Sequence, residues 1–242
     1  MTINKNKIIK LGAVTILMTT FLFYLKEKSI VQQTEASTEI EIVDLEEENY
    51  NKIKSLVEKN KDDISRLVNK DNPLGVDYVP NDLINTTVQT ARGNVEVSKS
   101  IKDDLEDMFQ SAQNDNIYFC ITTGYRSAQF QDALYRKSLN KNGKEHADKY
   151  VAKPGYSEHQ TGLAIDISCK SKNYKLTTSF GDTEEGKWLA ENSYKFGFIL
   201  RYKQGREEDT GYAYEPWHFR YVGKEIATYL YENNLILEDL YK

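Results

Sequence analysis

The chain has 242 residues, enough for one domain plus an extension or two small domains. Hydrophobic residues make up 39% and charged residues 29%, with 13 Gly and 4 Pro, which excludes collagen-like and wholly disordered classes and leaves material for a buried core. The net charge of −5 is uneven: the first 28 residues are basic and Glu35 to Glu48 is acidic, so the remainder is close to neutral and no broad basic surface points to nucleic acid.

Lys5, Lys7 and Lys10 precede an uncharged, mostly apolar run from Leu11 to Leu25, closed by Lys26, Glu27 and Lys28. This order predicts a signal anchor or signal peptide over residues 1–28. The lysines ahead of the run keep the N-terminus cytoplasmic, which places the body on the extracytoplasmic face of a membrane, or in secreted form if the segment is cleaved. Residues 29–72 read as an acidic tether followed by a helix, with Ile53, Leu56, Val57, Ile64, Leu67 and Val68 on one face and Asn72-Pro73 ending it.

From residue 73 to 242 the pattern predicts one domain. A helix runs from about Ser100 to Ala112, where Ile101, Leu105, Met108, Phe109 and Ala112 share a face. A strand follows over Ile117 to Thr122, then a helix from Ser127 to Leu139 and a polar loop from Asn140 to Tyr156. Further strands are predicted over Leu163 to Ser168, Phe198 to Tyr202 and Trp217 to Val222, with helices over Thr183 to Tyr194 and Lys224 to Tyr231. Without regular strand–helix alternation, the expected class is α+β, a small antiparallel sheet flanked by helices. Cys120 and Cys169 lack metal-ligand spacing and fall in apolar runs, so they read as small buried hydrophobes.

The chain contains three histidines, His146, His159 and His218. In the segment from Leu163 to Ser168, period two turns Leu163, Ile165 and Ile167 to one face and Asp166 to the other. His218 alternates in the same way against Trp217 and Phe219. Two His and one Asp on a sheet, with a position left for water, is a donor set suited to catalytic zinc, although structural roles for each residue are equally open on spacing alone. Glu215 stands three residues before His218, across Pro216. His146 lies in a Lys-rich stretch and reads as a solvated side chain. Ser138 and Lys141 fit SxxK spacing by chance, since no SDN or KTG accompanies them.

The combination Ser157-x-His159-x-x-Gly162-x-Ala164-x-Asp166 with Glu215-Pro216-Trp217-His218-x-Arg220-Tyr221-Val222-Gly223 resembles the signature of the VanY-type D-alanyl-D-alanine carboxypeptidases. Thr123-Gly124-Tyr125-Arg126-Ser127, with Gln131 a turn later, resembles the same family's upstream motif. The resemblance implies that His159, Asp166 and His218 bind zinc, that Glu215 is the general base and acid, and that Arg126 stabilises the oxyanion. It also implies that Ser157 and Gln131 hold the substrate's terminal carboxylate. Tyr125 and Trp217, with Tyr156 and Tyr212, are candidates to line the peptide groove. The implied substrate is a peptidoglycan stem peptide ending in D-alanine, cleaved by a monomeric enzyme. L,D-carboxypeptidase activity on tetrapeptide stems, or a wall-binding module without catalysis, are the alternatives.

Overall fold

A computed structural model describes residues 46–242, together with Lys26 and Lys28. The expected anchor over residues 1–28 and the tether up to residue 45 lie essentially outside the described residues. Among the described residues, no helix is long and apolar enough to cross a membrane. The chain divides into two units, Met1–Lys52 and Ile53–Lys242. In the first unit, residues 46–52 are helical; everything below concerns the second.

The second unit is built around a four-stranded antiparallel sheet. Its strands are β3 (Cys120–Thr123), β4 (Ala164–Ser168), β5 (Phe198–Leu200) and β6 (His218–Tyr221), in the spatial order β3-β4-β6-β5. A separate hairpin pairs β1 (Leu83–Asn85) with β2 (Glu96–Ser98). Helix α1 covers residues 53–60, followed by α2 (Lys102–Asn114), α3 (Ala128–Asn142), α4 (Lys144–Tyr150), α5 (Glu184–Asn192), α6 (Glu207–Thr210) and α7 (Lys224–Glu232).

The alternation in β4 plays out as its pattern requires. Ile165 and Ile167 enter a core shared with Leu105, Met108 and Phe109 of α2, Ile121 of β3, Phe219 and Tyr221 of β6, and Phe198 of β5. A second cluster packs Ile53 and Val57 of α1 against Ile199, Val222, Ile226 and Leu230. Burial of Ile53 and Val57 therefore starts the compact body at residue 53, not at 73. Helix α1 also stops short of the expected end near Val68. Asn60 Nδ2 bonds back to the Leu56 carbonyl at 2.8 Å, and the Asn60 carbonyl accepts from the Ser65 N–H at 3.2 Å, so residues 61–65 form turns.

Two further expectations are corrected. The stretch Asn140 to Tyr156, read as a polar loop, contains the end of α3 and all of α4; its polar residues are the solvated faces of helices, and Ala147 is the buried residue of α4. The β1–β2 hairpin has no counterpart in the expected elements, because three-residue strands are too short to show alternation. Cys120 and Cys169 are both buried and unpaired, as free thiols. Burial, with Cys169 nearby, pushes the Cys120 thiol up to about 11.

Candidate active site

Asp166 and His218 meet because of sheet register. β4 and β6 pair so that Asp166 lies directly opposite His218, and opposite residues in an antiparallel pair share a face. The face is the one turned away from Ile165 and Ile167. His218 Nδ1 lies 3.1 Å from Asp166 Oδ1. Asp166 also pairs with Thr123 of β3, where the register shifts between Ile121 and Thr123.

His159 reaches the same point from a short 3-10 turn, Glu158–Thr161, that ends at Gly162 with φ +73°. Only glycine fits there: a Cβ on Gly162 would come within 2.9 Å of the Ser98 backbone nitrogen, besides the cost of positive φ. Gly124 is constrained by close approach in the same way, since a Cβ there would meet the Glu96 carbonyl oxygen at 2.3 Å. That approach brings the Gly124 carbonyl within 2.7 Å of His159 Nδ1. A carbonyl can only accept, so Nδ1 carries the proton and Nε2, 3.3 Å from Asp166 Oδ2, presents its lone pair.

The three donors fit a metal. One ligand atom from each of His159, Asp166 and His218 lies within 4.8 Å of the others, and all three residues are buried. Zinc bonded at about 2.0–2.1 Å in a tetrahedron needs donors about 3.3 Å apart; the nitrogen-to-carboxylate separations here are 3.3 and 3.1 Å. The imidazole rings meet edge to face, at 86° and 4.9 Å between centroids. Burial tends to raise the Asp166 pKa, but the two histidines outweigh it and hold the carboxyl far below the usual range. His159 is pushed down, first by burial and then by the Arg126 charge, toward the neutral form that coordinates. Burial also acts to lower His218, yet its bonds to Asp166 and Glu158 lift it to about 9 in the absence of an ion. A cation at this point must displace that proton.

The cleft beside the three donors is lined by Arg126, Gln131, Ser157, Tyr202, Tyr212, Glu215 and Trp217 among others. Glu215, 8% exposed, is pushed up to about 8, chiefly by burial and also by Asp166 and Glu158, while His218 and Arg126 pull the other way. Arg126 is gripped at one corner: Nη1 donates to Gln131 Oε1 at 2.9 Å, and Gln131 Nε2 donates to the Ala152 carbonyl at 2.7 Å. Nη2 lies 3.6 Å from Asp166 Oδ2, and Nε is buried with no hydrogen-bond partner. Both ends of the Gln131 amide are thus engaged, the oxygen with Arg126 and the nitrogen with the Ala152 carbonyl.

Tyr125 is not among the residues lining this cleft; its backbone N–H is tied to the Glu96 carbonyl at 2.6 Å. Tyr156 lines a neighbouring pocket with Lys70, Lys153 and Tyr212. His146 sits on α4, exposed, against Tyr150 at 4.7 Å between ring centroids. Ser138 is buried and is not among the residues lining the cleft, and Lys141 is exposed. Glu158, Arg201 and Tyr202 were not identified from sequence, although one signal was present: Arg201 and Arg220 are charged residues in apolar strand segments, and such residues need buried partners.

Residues 94–224 match the protein family described as VanY, D-alanyl-D-alanine carboxypeptidase. The putative carboxypeptidase YodJ of Bacillus subtilis (strain 168) is 36% identical over 224 residues, covering 89% of this chain and 82% of that protein. Among solved structures, the LD-carboxypeptidase LdcB superposes with a TM-score of 0.69 at 40% identity, covering 72% of this chain and 84% of the other. The vancomycin-resistance D,D-pentapeptidase VanY from a VanB-type cassette, solved with Zn(II), superposes at 0.64 and 35% identity, covering 74% and 99%.

Proposed function

The chain belongs to the VanY family of D-alanyl-D-alanine carboxypeptidases, and on that premise we propose that it trims the C-terminal D-alanine from peptidoglycan stem peptides. It is a zinc-dependent carboxypeptidase. The observation that carries the reading is the convergence of His159, Asp166 and His218, with ligand atoms within 4.8 Å of one another, and of Glu215 and Arg126 on one cleft.

His159 Nε2, Asp166 and His218 Nδ1 would hold the ion. When bound, zinc supplies Lewis acidity toward the scissile carbonyl and makes water acidic enough to lose a proton near neutral pH. Glu215 takes that proton on its carboxylate and returns it to the departing amine, a shuttle favoured by a pKa raised toward the working range, which a nearby cation moderates. Arg126 is permanently charged and lines the cleft, so it can meet the oxyanion of the tetrahedral intermediate without moving a proton. Gln131 keeps the guanidinium in place. Ser157, buried at the cleft wall, takes the terminal carboxylate of the peptide in this reading, with Trp217 along the groove.

The body acts on the outer face of a bacterial membrane as a monomer, tethered by residues 1–28 or released if they are cleaved. The lysines before the apolar run from Leu11 to Leu25 support this placement. Likeness to LdcB favours a second reading, removal of D-alanine from tetrapeptide stems.

Incubation of purified pentapeptide and tetrapeptide muropeptides with the protein, with zinc or with chelator, followed by mass spectrometry, decides between them. The expected result is chelator-sensitive loss of one alanine from the pentapeptide. Loss from the tetrapeptide alone would move the assignment to L,D-carboxypeptidase. Zinc binding without hydrolysis of either would point to a wall-binding module.

A further inference from the structure

Glu158 precedes His159 in the chain and its side chain is fully buried, yet none of the steps above uses it. Its two oxygens have divided duties. Oε1 accepts from Arg201 Nε at 2.7 Å and from Arg220 Nη1 at 3.0 Å, whereas Oε2 lies 3.2 Å from His218 Nε2. Both arginines are 0% exposed and are themselves anchored. Arg201 donates through Nη1 and Nη2 to Glu238 at 2.8 and 2.6 Å, and Arg220 Nη2 donates to the carbonyls of Ile64 and Arg66 at 3.1 and 2.9 Å. Glu238 belongs to the 3-10 turn Leu237–Tyr241 at the C-terminus.

Two guanidiniums on Oε1 keep Glu158 as a carboxylate, which can only accept hydrogen bonds. His218 Nε2 must then keep its proton, and Nδ1, facing Asp166, is the nitrogen left to give one up to a metal. The opposite arrangement holds at His159, where a backbone carbonyl takes Nδ1 and Nε2 faces Asp166. The difference follows from where each residue stands. His218 lies directly across the sheet from Asp166, so its near nitrogen is in range, while His159 reaches in from a turn with its far nitrogen.

We infer that Glu158 is a positioning residue that selects Nδ1 of His218 for the metal, and that Arg201, Arg220 and Glu238 form the buried scaffold holding it there. The inference rests on the zinc reading of the three donors. Its consequence is that metal affinity depends on a residue in the C-terminal turn that touches none of the ligands. Outer partners of metal-bound histidines are commonly worth 10–100-fold in affinity.

The test uses the full-length protein with ¹⁵N-labelled histidine, loaded with ¹¹³Cd. One-bond cadmium–nitrogen coupling is expected at Nε2 of His159 and Nδ1 of His218; coupling at Nε2 of His218 would overturn the inference. In parallel, zinc affinity is measured by competition with a chromophoric chelator for wild type, Glu158→Gln and Glu238→Gln. Glu158→Gln must turn its amide NH₂ either to the guanidiniums or to His218, and is expected to bind zinc about 10–100-fold more weakly. Glu238→Gln is expected to shift affinity in the same direction by less. A folded Glu158→Gln protein with affinity within about twofold of wild type would refute the role. If that variant does not fold, the coupling pattern in wild type and the Glu238→Gln affinity decide. Wild-type protein that takes up neither zinc nor cadmium would overturn the metal reading and this inference with it.

Discussion

Replacing Arg126 by Lys isolates the geometry of the guanidinium from its charge. In the structure Arg126 is 14% exposed at its side chain, bonded to Gln131 through Nη1, close to Asp166 through Nη2, and left with a buried, unpartnered Nε–H. A lysine keeps the positive charge but not the planar fork. It cannot fill the place of Nη1 and also offer a donor to the oxyanion from a single compact head. Losing one oxyanion donor costs about 10²–10³ in kcat, or about 2.7–4 kcal/mol. Leaving Gln131 Oε1, in a residue 1% exposed, without its partner adds a separate stability cost of about 1–3 kcal/mol. The expected variant is therefore folded but somewhat less stable, binds zinc like wild type because the three donors are unchanged and the lysine keeps a positive charge beside Asp166, and releases D-alanine with kcat reduced by about 10²–10³. D-alanine release from a pentapeptide, coupled to D-amino acid oxidase and normalised to bound zinc, measures this directly. A kcat within about threefold of wild type at equal zinc occupancy would refute the assignment of Arg126 to the transition state.

Other outcomes follow from the same geometry. Glu215→Gln is expected to retain zinc, since Glu215 is not among the three donors, and to lose at least about 10²-fold in turnover; a variant as active as wild type would overturn the proton shuttle. Folded-state pKa values of Asp166 and Glu158 lie below those of the unfolded chain, so their stabilisation is complete above the unfolded values near 4 and is lost as pH falls below them. Thermal melts of chelated protein should therefore show Tm dropping below about pH 4. His218, raised to about 9 without metal, contributes in the opposite sense: its share is present below about 6.5 and disappears as pH rises through about 9. Zinc should flatten that alkaline limb, because coordination needs the neutral ring; identical alkaline profiles with and without zinc would contradict it. Cys120 and Cys169 should resist Ellman's reagent at pH 8 in the native protein and both react on unfolding, a difference that timed absorbance would show.

Much of the site could be read from local pattern. Alternation in the segment from Leu163 to Ser168 separates Asp166 from the apolar face, and the same alternation around His218 does so again, because side chains on a strand change sides at every residue. The motifs around Arg126 and His159 were picked out by their resemblance to a family signature, since spacing alone left structural roles open. Element ends were less legible: the helix expected to reach Val68 stops at residue 60, where the Asn60 side chain and carbonyl make turns whose partners are set by packing. Helix α4 was hidden because its residues are nearly all solvated, and solvated helices carry little apolar periodicity.

What the amino-acid sequence by itself determined is which face of its strand each of Asp166 and His218 occupies, since alternation depends on neighbours a few positions away. Only the tertiary structure decided which of them meet. Asp166 and His218, 52 residues apart, are joined by the register of β4 on β6, and Glu158 reaches Arg201 and Arg220 across 43 and 62 residues. Register is set by the packing of both faces of the sheet at once, and a slip of one residue would send His218 into the core. The choice of nitrogen on each histidine has the same origin, because it is made by partners that come near only when the chain is folded.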